Sequence, residues 1–139
     1  MKLYIPTTTL NFNNILSSET ISPKAFYGER GYGYKRWENV VENNLENCIL
    51  LYNKPFSFTR PNNGLDDYPM LVEIDVEDDE LNEFEKCGEW GYKSSHSLVL
   101  TPVTTRFIFF YECPHVAKLA KFKLSRCLNV VSWNSLCTT

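Results

Sequence analysis

Residues 26–37, FYGERGYGYKRW, bring together side chains that can do chemistry. Gly28, Gly31 and Gly33 let the backbone turn tightly or come close to a ligand. Phe26, Tyr27, Tyr32, Tyr34 and Trp37 offer faces on which a base or a nicotinamide ring can stack. Arg30, Lys35 and Arg36 bring positive charge, and a guanidinium matches phosphate oxygens two at a time. Thr7, Thr8 and Thr9 add hydroxyls at a turn just upstream. These features predict a ligand-sized cleft bordered by residues 26–37, beside the C-terminal end of a strand at residues 3–5. The competing reading is a surface loop whose rings pack onto the domain, because the glycine spacing fits no phosphate-binding fingerprint.

Other chemistry is sparse. The five cysteines, Cys48, Cys87, Cys113, Cys127 and Cys137, are odd in number and form no C-x-x-C pair. Their apolar surroundings predict reduced, buried thiols and no disulfide. Cys113 and His115 are close in sequence, but no second such pair exists, so no zinc site is expected. Eleven acids lie between Asp66 and Glu89, opposed by Lys86 alone. A calcium loop at residues 75–86 would need a glycine at its sixth position and a glutamate where Lys86 stands. A solvated acidic helix over residues 78–86 is the expectation instead.

The elements that must position these residues follow from hydropathy. Leu3, Tyr4 and Ile5 form a short apolar run ended by Pro6, which predicts a strand stopping at the proline. Leu10, Phe12, Ile15 and Leu16 recur at helical spacing, and Ser22-Pro23 restarts an extended chain. A helix is expected over residues 34–44 from Trp37, Val40 and Val41. Continuous or alternating apolar runs predict strands at residues 47–52, 56–59, 70–76, 97–100 and 106–111, with a last one within 127–139. The run at 106–111 is too apolar for an exposed edge. Val116, Leu119, Ala120 and Phe122 face away from Lys118, Lys121, Lys123 and Arg126 on a helix begun by Pro114.

The whole-chain balance sets bounds. Residues 1–139 fit one α+β domain, either a whole protein or a compact piece of a larger one. Its expected core is a mixed, largely antiparallel sheet of about five or six strands with flanking helices. A net charge of −3 makes no global case for nucleic acid or a membrane surface. No apolar run reaches the length of a membrane span, and the start MKLYIPTTT has no signal-peptide core. A cytoplasmic protein is expected.

The opening resembles that of ADP-ribosyltransferase-like domains, of the DNA-modifying toxin (DarT-like) type. Leu3-Tyr4-Ile5-Pro6-Thr7 and Phe12-Asn13-Asn14-Ile15-Leu16 carry the likeness. Pro55-Phe56-Ser57-Phe58 and Tyr68-Pro69-Met70-Leu71 echo it further on. The resemblance covers about half of the chain. It implies NAD as cofactor, with Tyr4, Thr7, Tyr27 and Tyr32 shaping the nicotinamide pocket. Arg30 or Arg36 would hold the pyrophosphate, and Glu112 would stabilise the oxocarbenium-like charge. The chain departs from the family where a NAD-contacting histidine is expected, since Ile5 stands there. Glu112 supplies the late catalytic glutamate, or the acidic segment does, or the domain is not catalytic. The functional expectation is therefore a degenerate ADP-ribosyltransferase-like domain binding a nucleotide or nucleic acid beside residues 26–37. The alternative is a protein-interaction or structural domain of a microbial defence or toxin system.

Overall fold

The computed structural model describes residues 1–8, 15–16, 18–22, 48–56, 69–110 and 129–132. In chain order its strands are β1 (Lys2–Thr8), β2 (Thr20–Ile21), β3 (Ile49–Tyr52), β4 (Pro69–Asp75), β5 (Glu85–Cys87), β6 (Gly91–Ser94), β7 (Leu98–Val99), β8 (Thr105–Phe109) and β9 (Asn129–Ser132). Seven of them make one sheet in the order β5-β6-β3-β1-β4-β8-β9, and β2 pairs with β7 in a separate ribbon. Every pairing is antiparallel except β8 with β9.

This corrects the expected α+β architecture. No flanking α-helix stands among the described residues. Helical backbone there is confined to Ile15, Leu16, Ser18 and one 3-10 turn, Glu80–Glu83. The acidic helix expected over residues 78–86 is that single turn followed directly by β5. The reason is local. Asp79 caps the turn by accepting from the Glu80 amide at 3.1 Å. Glu80 and Glu83 then repel across it, and the segment buries no residue that could hold a longer helix. The helices expected over 34–44 and 114–126 lie outside the described residues, as does most of the one over 10–16. The strand expected at 56–59 begins at Phe56, which is not in a strand, and otherwise lies outside them. No described helix is long and apolar enough to cross a membrane.

Strand parity builds the core. Leu3, Ile5, Leu51, Met70, Val72, Ile74, Phe107 and Phe109 all fall on one face of the sheet and are buried there. Ile15, Leu16, Ile21 and Leu100 pack onto that face. Glu19 takes a left-handed conformation at φ 58°, and its amide donates to the Ile15 carbonyl at 2.9 Å. That bend carries the chain from Leu16 into β2, so Ile21 reaches the core. Residues of the opposite parity, Tyr4, Leu71 and Ile108, form a second buried cluster with Tyr52, Phe56, Phe110 and Val131 against it. β8, buried on both faces, sits between β4 and β9, the interior place its apolar run calls for. β1 runs through Pro6 rather than ending at it. β1 pairs with β3 at Tyr4↔Tyr52, and the pairing stops short of Pro6, which would face Leu50 but has no amide proton to donate.

At the other side of the sheet, β5 and β6 form a hairpin closed by Cys87↔Gly91. Gly88 takes φ +57° in its loop, a conformation that glycine adopts freely. Gly91 lies opposite Tyr52, and β6 approaches β3 so closely that a Cβ on Gly91 would run into the Leu51 carbonyl. Gly91→Ala is therefore expected to cost about 1–3 kcal/mol through overpacking. Urea unfolding of the variant measures this; an unchanged midpoint would show that the β3–β6 approach can relax.

Candidate functional site

Two features stand out on the second face of the sheet. The first is a polar row. The register places Tyr4 beside Glu73 and Glu73 beside Arg106, across β1, β4 and β8. Glu73 is only 3% exposed. Its carboxylate accepts from Arg106 twice, Nε to Oε1 at 2.6 Å and Nη2 to Oε2 at 2.7 Å. This planar fork-to-fork pair is the strongest form of such a contact. Tyr4 donates its hydroxyl to the same carboxylate. Burial pushes the Tyr4 phenol up to about 12, helped by the negative charge of Glu73 and that hydrogen bond, while Arg106 pulls it down. Arg106 is held above its ordinary value chiefly by the hydrogen bonds to Glu73, and burial opposes this.

The second feature is a groove of about 420 Å³ at the end of β3, within the size range of small-molecule clefts. Tyr52, Asn53, Lys54, Pro55, Phe56, Glu89 and Trp90 line it. The Tyr52 ring meets Phe56 edge-on with centroids 4.7 Å apart, and Trp90 at a tilt with centroids 4.8 Å apart. Trp90 reaches the groove from the β5–β6 hairpin loop and keeps 37% of its surface exposed. Asn53 fastens that loop to β3. Its amide donates to the Trp90 carbonyl at 2.8 Å, and its side-chain Nδ2 donates to the Glu89 carbonyl. The groove thus has an aromatic floor and wall, one exposed ammonium on Lys54 and one exposed carboxylate on Glu89.

Of the residues singled out from sequence, Tyr4 belongs to the polar row and Thr7 is fully buried on the opposite, core face. The two therefore do not line one pocket on the sheet. Tyr27, Arg30, Tyr32, Arg36 and Glu112 lie outside the described residues, and so does the cleft expected beside residues 26–37. Cys48 and Cys87 are free thiols, and the other three cysteines lie outside the described residues. Among the described residues no three of His, Cys, Asp and Glu converge where a metal ion could sit. Sequence reasoning missed Glu73, Arg106, Asn53, Glu89 and Trp90 as a group. A charge inside the apolar run MLVEIDV marks Glu73, and the segment CGEWGY marks a tight loop with an aromatic tip. Only strand register brings the rest together.

Compared with known protein families, curated proteins and solved structures, the chain matches none.

Two outcomes test the polar row. Arg106→Ala strands Glu73 in the sheet without its cation, and is expected to cost about 3 kcal/mol, near the low end for a broken buried pair because the arginine side chain is 30% exposed. Chemical denaturation reads it, and replacing Glu73 and Arg106 together by leucine should cost less than Arg106→Ala alone. The second outcome concerns alkaline pH. The Tyr4 phenol holds its proton more tightly in the fold, about 12 against 10.0 otherwise. Its contribution is therefore complete below pH 10 and disappears as pH rises through about 12. Over that window Tyr4→Phe should lose less stability than the parent; equal slopes would refute the assignment.

Proposed function

We propose that this protein is a binding module that takes a planar base of a nucleotide or of an unpaired nucleic-acid strand in the groove of Tyr52, Phe56 and Trp90. The observation that carries the reading is three aromatic rings gathered around one open groove, with the tryptophan on a loop tip. Such rings form a stacking platform for any base. Lys54 supplies a cation for a phosphate at the rim. The ligand class agrees with the sequence expectation, while the place differs: the end of β3 rather than the stretch at residues 26–37. The ADP-ribosyltransferase likeness adds NAD to the ligands worth testing, because its adenine would stack in the same way.

Binding rather than catalysis is supported by the state of the buried carboxylate. Both oxygens of Glu73 are engaged by Arg106, and Tyr4 donates to it as well. A group so committed holds a fold together more readily than it takes a proton from a substrate. The acidic flank also limits the ligand. Glu85 and Glu89 are exposed around the hairpin and repel a long run of phosphates. A single nucleotide unit suits the groove better than an extended track.

Calorimetric titration with AMP, CMP, GMP, UMP and NAD tests the reading. At least one ligand should bind saturably, and Trp90→Ala should weaken that binding by about 1–3 kcal/mol, the scale of one stacked base. Binding unchanged in Trp90→Ala, or no binding of any of these ligands, sinks the proposal.

A further inference from the structure

Resting on that reading, we infer that the groove selects guanine, with the Glu89 carboxylate reading the base edge and Lys54 meeting the phosphate. Glu89 lines the groove next to Trp90 in a three-residue hairpin loop closed by Cys87↔Gly91. Its backbone is pinned, since its carbonyl accepts from Asn53 Nδ2 and the next carbonyl accepts from the Asn53 amide. Its side chain is exposed, and none of the hydrogen bonds or ion pairs among the described residues engages the carboxylate. An ionised carboxylate has two oxygens and accepts only. The base that answers it is guanine, whose pairing edge presents a ring N–H and an adjacent amino group as two parallel donors. Adenine offers an amino donor beside a ring acceptor, cytosine likewise, and uracil one donor between two acceptors. Against Glu89 each of these leaves an acceptor facing an acceptor, which costs rather than gains.

The charges of the groove favour this ligand over a cationic one. Aromatic rings with a carboxylate would also suit a methylated ammonium. Lys54 on the same rim repels such a cation and attracts an anion. A ligand with a donor edge at one end and a phosphate at the other satisfies both charges, and guanosine monophosphate is the smallest with that layout.

The test is calorimetric titration of the full chain and of Glu89→Gln with GMP, AMP, CMP and UMP. The same two proteins are titrated with a short single-stranded oligonucleotide holding one guanine, and with a trimethyllysine peptide. The parent is expected to bind GMP about tenfold or more tightly than the other three, the discrimination of one good bidentate pair. Glu89→Gln should lose that preference, because its amide presents one acceptor and one donor in place of two acceptors. Thermal melting should confirm its fold, since the residue is exposed on a loop. Guanine in the oligonucleotide bound as well as GMP identifies a strand as the source; GMP bound alone identifies a free nucleotide; either supports the inference. Equal binding of all four bases overturns the guanine inference and leaves the stacking reading intact. A guanine preference that survives Glu89→Gln overturns the role of Glu89. Binding of the trimethyllysine peptide with no nucleotide bound overturns both readings.

Discussion

Glu73 sits in the middle of β4 with almost no solvent contact, and a carboxylate there is tolerable only while it is paired. Its pairing ties three strands. Arg106 of β8 closes on it from one side and Tyr4 of β1 from the other. Strand register has a period of two, so a slip by one residue in either neighbour would turn Glu73 or its partners into the apolar core face. The cost of that error is far greater than the loss of one hydrogen bond. The ion pair need not add much net stability compared with an apolar trio of the same volume. What it contributes is a unique alignment, and this alignment continues outward. Tyr4 pairs with Tyr52, and Tyr52 with Gly91, so the row that begins at Arg106 ends at the groove.

The groove is a consequence of how closely β6 can lie against β3. Gly91 removes the Cβ that would hold the strands apart, and Asn53 ties the hairpin loop to the end of β3 by two hydrogen bonds. The Tyr52 and Trp90 rings then meet with centroids 4.8 Å apart and an interplanar angle of 38°. Lys93 and Glu85 face each other at 3.5 Å across the same hairpin, but with the Glu85 side chain 72% exposed such a pair contributes little. The hairpin loop is held to β3 by the two Asn53 hydrogen bonds and by the close approach of the strands at Gly91.

Much of the sheet was legible in the sequence. Apolar runs marked β3, β4, β8 and β9, and the continuous one at residues 107–109 pointed to an interior strand. The acids of residues 78–86 resemble a solvated helix face, yet the segment forms one 3-10 turn and β5. The deciding features were Phe84, which leaves the turn in an extended conformation, and the glycines at 88 and 91, which make a hairpin. The polar row was invisible for a different reason. Tyr4, Glu73 and Arg106 are separated by scores of residues, and no local pattern encodes which strands become neighbours. Trp90 is an instance of the same limit: its tight loop could be read from CGEWGY, whereas its partner ring on β3 could not.

The two polar features of this face differ in what they have left to give. Glu73 and Arg106 satisfy one another inside the sheet, and Tyr4 beside them feels both charges in opposite senses. Glu89 and Lys54 share a groove rim without pairing, and both are exposed. Charges kept apart at the edge of an aromatic surface remain fully hydrated until something displaces the water. A ligand must then replace that hydration with contacts of its own, so an apolar ring alone gains from stacking but not from the rim. A ring that carries donors and an anion gains from all three. The buried pair therefore fixes the alignment of three strands, whereas among the described residues Glu89 and Lys54 keep their charges at the surface of the groove.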